Sequence, residues 1–182
     1  MLMQGLKVAK SRALVGMPVD LVIDAGVDAA SIPESATFTR WVDTLATTIA
    51  DDRLQRDICI RICSAAQSQD LNNRFRQQDK PTNVLSFPAE FEFSLDDAPI
   101  DAPIDAPIEA PLGDLAICWE VITREADEQK KSLEAHLAHL TIHGVLHLLG
   151  FDHEQSAPAI AMENTEIEVL AAIGFDNPYK SQ

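Results

Sequence analysis

The segment 143–153 limits the possible folds of this chain more than any other, because it requires a helix, a stop and a return loop in that order. It places histidines at i, i+4 and i+10 and a glycine at i+7. On an α-helix, His143 and His147 lie on one face, one turn apart. Gly150 then offers a left-handed helix stop, which lets the chain turn back and present His153.

Three converging imidazoles are typical of a catalytic zinc site, since they leave one position of a tetrahedral ion open. A chance pair at i, i+4 would lack the later glycine and histidine, so the spacing is specific. The sequence therefore predicts one Zn²⁺ per chain, bound by His143, His147 and His153. The alternative is a buried helix end whose histidines bond backbone carbonyls, and it does not explain why three of the five histidines converge.

Two further histidines, His136 and His139, follow nearly the same helical stripe and offer another ligand set. The α-helical rise separates His139 from His147 by roughly 12 Å along the axis. Three ligands on one straight line are hard to fit around a tetrahedral ion with bonds of ~2.0–2.1 Å. We therefore expect the third ligand beyond the turn, at His153, and expect the other two histidines to pack the helix or line the cleft.

The chain is long and apolar enough for one domain with a sizeable core, since 46% of its 182 residues are hydrophobic. We predict a single catalytic domain over residues 1–182. No apolar run has transmembrane length, and no apolar segment is typical of a signal peptide. Cys59 and Cys63 would lie roughly 13 Å apart on a strand, too far for a disulfide. Reduced cysteines favour a cytoplasmic location without membrane partners.

The formal net charge of −15 argues against a general nucleic-acid binder, which usually carries a basic surface. It leaves room for a local basic patch or a metal-centred site, and no DNA specificity is expected. Some of the acidity lies in a repeated Asp-Ala-Pro-Ile unit, where a proline at every fourth position forbids both helix and sheet. We predict an acidic surface loop over residues 92–111, and a tolerated insertion is favoured over a partner-binding arm.

Hydrophobic periodicity predicts strands at 19–23, 57–63, 82–87 and 112–118. It predicts helices from Glu34 to Ile49, from a Ser64–Gln67 capping box onward, over 133–149 and over 156–173. Strands and helices alternate early and helices dominate late. The expected class is α+β (α/β mixed), with a single small mixed sheet of about four strands and about five helices.

Three segments carry a resemblance to a known family. Residues 143–153 match the pattern H-G-x-L-H-L-x-G-[YF]-D-H, residues 71–88 read L-N-N-R-F-R-Q-Q-D-K-P-T-N-V-L-S-F-P, and residues 112–118 read L-G-D-L-A-I-C. Together they resemble the bacterial YbeY family of zinc-dependent endoribonucleases, which mature ribosomal RNA. The resemblance covers roughly residues 19–179 apart from the repeat loop, and Phe151 stands where the family frequently has Tyr.

The resemblance implies that His143, His147 and His153 bind zinc and that Arg76 is the basic residue of the cleft. It implies a metal-binding helix packed against the sheet. It further implies action on single-stranded regions of 16S ribosomal RNA, including the 3′ end, and a role in ribosome quality control. The implied partners are ribosomal RNA, the small ribosomal subunit and ribosome-assembly proteins.

The chemistry of the residues agrees with a phosphodiester substrate. Zinc with an open position lowers the pKa of bound water from ~15.7 to about 7 and polarises a phosphoryl oxygen, although the 2′-OH of RNA is an alternative nucleophile. A guanidinium at Arg76 binds phosphate oxygens bidentately. Weaker candidates for contact with phosphate are Arg74 and Lys80, and Asp114 and Asp152 are candidates to orient the imidazoles.

Two other functions remain open from the sequence. A zinc metalloprotease shares the histidine spacing, but it places its general base directly after the first histidine, where this chain has Gly144. A non-enzymatic, zinc-stabilised ribosome-assembly factor would use the metal for structure only. Cleavage of RNA by the pure protein separates these functions.

Overall fold

The computed structural model describes residues 19–89, 110–151 and 156–180, and these residues form one four-stranded sheet and five α-helices. The strands are β1 (Val19–Ile23), β2 (Ile58–Cys63), β3 (Val84–Pro88) and β4 (Gly113–Cys118). The helices are α1 (Ser35–Ile49), α2 (Ala65–Arg76), α3 (Trp119–Glu128), α4 (Leu133–Leu148) and α5 (Ser156–Ala172). The predicted 92–111 loop lies outside the described residues except for its last two positions, and Asp152 and His153 lie outside them as well.

The sheet is mixed, with strand order β1-β2-β4-β3. Strands β1, β2 and β4 are parallel, and β3 pairs antiparallel with β4 at one edge. This sheet and its five helices confirm the predicted α+β class. Across the described part of the chain, no helix is both long enough and apolar enough to cross a bilayer.

Each face of the sheet covers its own core, because successive side chains of a strand point to opposite faces. The larger core joins the sheet to α1, α4 and α5, and its sheet residues include Ile58, Ile60, Ile62, Leu115 and Ile117. The smaller core lies beneath α2 and contains Cys63, Leu85, Ala116, Cys118 and Val121. Helix α4 therefore packs on the larger-core face, as the resemblance implied.

All three cysteines are free thiols, and burial raises the pKa of Cys63 to about 12.

Local capping side chains mark the starts of α2 and α4, where Ser64 and Ser132 accept backbone hydrogen bonds. Ser64 accepts a hydrogen bond from the backbone N–H of Gln67, whose side chain bonds back to Ser64, so the predicted capping box is present. Helix α3 is different, since it begins directly after β4 and its N-cap residue, Cys118, makes no side-chain capping bond. No turn residue separates that strand from that helix, and the sequence reading did not locate α3 for this reason.

Gly113 is a position where only glycine fits, and it gives a stability prediction. Its φ is +147°, and a Cβ there would lie 2.4 Å from the carbonyl oxygen of Phe87. We expect Gly113→Ala to lower the free energy of unfolding by about 3 kcal/mol or more, since strain and a backbone clash add. Gly26→Ala is the matched control, because φ is +96° there but no atom lies within 4 Å of the added carbon. Denaturant unfolding should show a loss of only about 1–2 kcal/mol for the control, and equal losses would contradict the clash.

Candidate metal centre

Helix α4 ends as the histidine segment predicts. Gly150 has a φ of +84°, and its N–H donates to the carbonyl of His147 at 3.0 Å. The N–H of Phe151 donates to the carbonyl of Leu146, also at 3.0 Å. These two bonds form a Schellman motif, in which a left-handed glycine reverses the chain and satisfies the last helical carbonyls. The predicted glycine stop is confirmed.

His143 and His147 face each other at the end of this helix. Their Nε2 atoms lie 3.2 Å apart. His147 Nδ1 lies 3.0 Å from the carbonyl oxygen of Phe151, and His143 Nδ1 lies 2.8 Å from Oε1 of Glu166. Carbonyl and carboxylate oxygens only accept hydrogen bonds, so both Nδ1 atoms carry the proton. With both rings neutral, each Nε2 atom would carry a lone pair, and a cation bound between the two atoms would relieve the repulsion of these lone pairs.

The separation of the two Nε2 atoms fits a shared metal ion. Two nitrogens bound at ~2.0–2.1 Å to one tetrahedral zinc ion lie about 3.3 Å apart, and the observed separation is 3.2 Å. The hydrogen bonds at both Nδ1 atoms are also those that orient imidazole ligands in metal sites. The geometry of His143 and His147 thus fits two ligands of one divalent cation.

The third predicted ligand, His153, and its neighbour Asp152 lie outside the described residues. Within 19–89, 110–151 and 156–180, no group of three His, Cys, Asp or Glu side chains has an arrangement that holds a metal. The prediction that His153 completes the site therefore stays a prediction.

His139 and His136, the alternative ligands, have other contacts. His139 Nε2 lies 3.3 Å from the hydroxyl of Tyr179 and 3.4 Å from Oε2 of Glu166. His136 Nε2 lies 2.9 Å from a carboxylate oxygen of Glu125, on α3. The Nε2 atoms of both rings therefore make polar contacts within the fold, as expected for helix-packing residues.

The structure adds two residues that the sequence reading did not assign. Glu166, on α5, has no exposed surface and accepts the bond from His143. Tyr179 donates its hydroxyl to the other carboxylate oxygen of Glu166. The sequence contains one sign of this, because Glu166 interrupts an apolar stripe of α5 formed by Met162, Val169 and Leu170. A carboxylate at a core position of an amphipathic helix calls for a specific partner.

Glu166 is ionised despite its burial. Burial raises the pKa of this carboxyl, but hydrogen bonds from His139, His143 and Tyr179 outweigh the desolvation and lower the pKa to about 2. A negative charge therefore stands behind His143, on the side of the ring away from Nε2.

Arg76 and Lys80 line the same cleft as the two facing histidines. The cleft has a volume of about 760 Å³ and runs along β3, from the end of α2 to the end of α4. Among the described residues, neither cation forms an ion pair with a carboxylate. Arg76 and Lys80 lie more than 60 residues before the two histidines in the sequence, yet they bring positive charge to the candidate metal position. Such a cleft suits an anionic substrate.

Buried polar side chains hold the loop that carries Lys80. The hydroxyl of Ser68 donates to the carbonyl of Thr82 at 2.8 Å and accepts from its N–H at 3.0 Å. The amide of Asn72 donates to the carbonyl of Lys80 at 2.8 Å. Ser68 and Asn72 are buried on α2, so the cleft wall is fixed to the helix that ends at Arg76.

Two weaker candidates lie away from this cleft. Arg74 pairs with Asp70 at 3.7 Å on the exposed side of α2, and its guanidinium lies over the ring of Phe75. Leu115 packs against α4 at Gly144, so Asp114, the preceding residue of the strand, points to the opposite face of the sheet. In this arrangement, Asp114 does not orient the imidazoles and Arg74 does not reach the cleft.

Gly144 lies where α4 packs most closely on the sheet. A Cβ at this position would lie 2.9 Å from a methyl carbon of Leu115 and 3.3 Å from the hydroxyl of Ser86. A side chain at residue 144 would therefore point into the sheet rather than into the cleft. This geometry agrees with the expectation that the chain lacks the general base of a zinc metalloprotease.

His136 predicts a dependence of stability on pH. Burial lowers the pKa of His136 and outweighs the opposing hydrogen bond from Glu125, and His139 and Lys131 lower it further. The unfolded chain thus binds the proton more tightly, so stability present at neutral pH is lost as the pH falls below the ordinary value of 6.5. In metal-free protein, His136→Gln should flatten the fall in the free energy of unfolding between about pH 7.5 and about pH 5.5. Equal slopes for the two proteins would contradict this assignment.

Comparison with known proteins shows which family this chain resembles. The sequence model described as Endoribonuclease YbeY matches residues 26–174. Two proteins named Endoribonuclease YbeY, from Stenotrophomonas maltophilia (strain K279a) and Xanthomonas axonopodis pv. citri (strain 306), are 44% and 42% identical to this chain. Each alignment covers 90% of this chain and 95% of the relative.

A solved structure supports the fold alone. The solution structure of TM1509 from Thermotoga maritima matches with a TM-score of 0.51 at 21% identity, covering 90% of this chain and 99% of that one. The family match spans residues 26–174 and therefore includes the positions of Arg76, His143 and His147. The chain therefore belongs to the YbeY family of endoribonucleases.

Proposed function

We propose that this chain is a zinc-dependent, single-strand-specific endoribonuclease. We further propose that it acts in the cytoplasm on 16S ribosomal RNA, including the 3′ end, during small-subunit maturation and ribosome quality control. The observation that carries the proposal is the pair of Nε2 atoms of His143 and His147, 3.2 Å apart, in the same cleft as Arg76. The names of the relatives support the endoribonuclease activity.

The residues of the cleft divide the work of phosphodiester cleavage. Bound zinc supplies Lewis-acid polarisation of a phosphoryl oxygen and acidification of water. Arg76 binds the non-bridging oxygens of the scissile phosphate in a bidentate manner and stabilises the negative charge that develops on them. Lys80 adds a second positive charge on the same wall. His143 and His147 donate their Nδ1–H groups to fixed oxygens, so their Nε2 atoms stay directed at the metal position.

A single strand suits this cleft better than a duplex. A flexible strand can turn one phosphate toward the recessed histidines, whereas A-form RNA presents its backbone in a rigid arrangement. The chain's net charge of −15 opposes RNA at longer range. We therefore expect weak binding of bare RNA at physiological salt, with the ribosomal subunit supplying the geometry.

The test compares three labelled substrates of one sequence: single-stranded RNA, the same RNA annealed to its complement, and single-stranded DNA. Zinc-loaded protein is expected to cut the first much faster than the other two and to leave unfolded casein intact. His147→Ala protein, purified in parallel, measures contaminating nuclease. Equal cutting of RNA by both preparations, or no cutting by the zinc-loaded protein, would contradict the proposal and favour an assembly factor.

The ends of the RNA products identify the nucleophile. Attack by the 2′-OH leaves a 2′,3′-cyclic phosphate on the upstream fragment, whereas attack by water leaves a linear phosphate. Mass spectrometry of the fragments from a short defined strand distinguishes these ends directly.

A further inference from the structure

Glu166 is a charged side chain placed where charge is costly. It has no exposed surface, and it lies on the apolar face of α5 against α4. An unpaired carboxylate in such a place would be strongly destabilising. The chain retains it with hydrogen bonds at both oxygens, which indicates a role beyond packing.

The two oxygens of Glu166 face different partners. Oε1 accepts from Nδ1 of His143 at 2.8 Å. Oε2 accepts from the hydroxyl of Tyr179, and Nε2 of His139 lies 3.4 Å away. Tyr179 and His139 thus contact one oxygen of the carboxylate, and the other oxygen accepts the hydrogen bond from His143.

The segment that carries Tyr179 is itself anchored. The ammonium of Lys131, in the turn between α3 and α4, donates to the carbonyl of Pro178 at 2.8 Å. The N–H of Tyr179 donates to the side-chain oxygen of Asn177 at 2.8 Å. The rings of His139 and Tyr179 meet edge to face, with centroids 5.5 Å apart. These contacts fix the Tyr179 hydroxyl on the buried carboxylate although the ring is partly exposed.

We propose that Glu166 is a positioning residue of the metal centre and that Tyr179 and His139 hold it, so that the segment after α5 is part of the site. The inference rests on the proposed function, because it assumes that His143 binds the metal. Glu166 keeps the His143 proton on Nδ1 and fixes the orientation of the ring. It also makes Nε2 more basic and therefore a stronger ligand for a divalent cation. Its negative charge also offsets part of the charge of that cation.

The dissociation constant of Zn²⁺, measured by chelator competition on full-length protein, tests the proposal. Glu166→Gln removes the charge but keeps an acceptor, and Glu166→Leu removes both. We expect affinity to fall by about 10–100-fold, with the larger loss for Glu166→Leu. Tyr179→Phe removes only the supporting hydroxyl and should weaken binding by a few-fold to about tenfold. Glu168→Gln makes the same charge change on an exposed position of α5 and should bind Zn²⁺ as the original chain does.

Two further readouts separate positioning from a purely structural role. Nitrogen NMR of the metal-free protein should show the Nδ1–H form of His143, and Glu166→Leu should mix the two ring tautomers. The thermal midpoint of each metal-free variant reports folding. Zn²⁺ affinity equal to that of the original chain in folded Glu166→Leu would overturn the proposal, whatever its midpoint.

His147→Ala distinguishes this failure from failure of the proposed function. If His147→Ala loses Zn²⁺ and Glu166→Leu keeps it at full affinity, the histidine site stands and the positioning role of Glu166 is wrong. If His147→Ala binds Zn²⁺ as tightly as the original chain, the metal site is not at these histidines and both proposals are wrong.

Discussion

His147→Ala is expected to lose both bound zinc and RNA cleavage. His147 supplies one of the two facing Nε2 atoms, which lie 3.2 Å apart. The alanine variant therefore lacks one of the two proposed metal ligands on α4. Metal content should fall from about one zinc per chain to a small fraction. Cleavage of single-stranded RNA should fall to the level of the buffer. Atomic absorption on desalted protein and a fluorescent RNA assay measure the two losses.

A histidine from the same helix provides the control. His136 lies on α4 but bonds to Glu125 and does not line the cleft. His136→Gln should therefore retain both zinc and cleavage at neutral pH. His143→Ala offers an independent removal of the second Nε2 atom, which guards against a folding defect particular to residue 147. Full-rate cleavage by either alanine variant would show that the metal pair is not the reaction centre.

Arg76→Ala is expected to retain zinc but cleave RNA about 10²–10³-fold more slowly. The guanidinium lines the cleft of the histidines and pairs with no carboxylate among the described residues. Its charge is therefore available for the phosphate, and the loss should lie mainly in kcat because the interaction strengthens as charge develops on phosphorus. Arg76→Lys should recover part of the rate, since an ammonium supplies the charge without the bidentate geometry.

Arg40→Ala is the matched control for Arg76→Ala. Arg40 is exposed on α1 and does not line the cleft, so the variant makes the same change in net charge elsewhere. It should change the rate little at physiological salt. If the two variants slow cleavage equally, general electrostatics accounts for the effect and Arg76 has no specific role.

The capping box at Ser64 and the glycine stop at Gly150 show how much of the fold is readable locally. Each depends on hydrogen bonds between residues three to five positions apart, so a short stretch of sequence contains the whole interaction. Helix α3 shows the limit of this reading. It follows β4 without a turn or a capping side chain, and its apolar Val121 and Ile122 are buried by contacts with both cores.

Some residues of the candidate site can likewise be predicted from local sequence, and others are brought there only by tertiary packing. The spacing of His143 and His147 predicts one helical face because the helix repeats every 3.6 residues. The role of Arg76 as the basic residue of the cleft was predicted from resemblance to a family rather than from local geometry. Glu166 and Tyr179 are 23 and 36 positions beyond His143. Only the packing of α5 and the following segment on α4 brings Glu166 to the His143 ring and Tyr179 to Glu166.

The sequence by itself determined the helix of His143 and His147, its glycine stop and the side of that helix on which the two imidazoles meet. These features follow from backbone hydrogen bonds within one element. Tertiary structure alone decided which charges surround those imidazoles. Packing on the larger-core face set Glu166 behind His143, and the loop fastened to α2 set Lys80 in the cleft with Arg76. Such contacts join residues that are remote in the chain, so burial and shape rather than spacing select them.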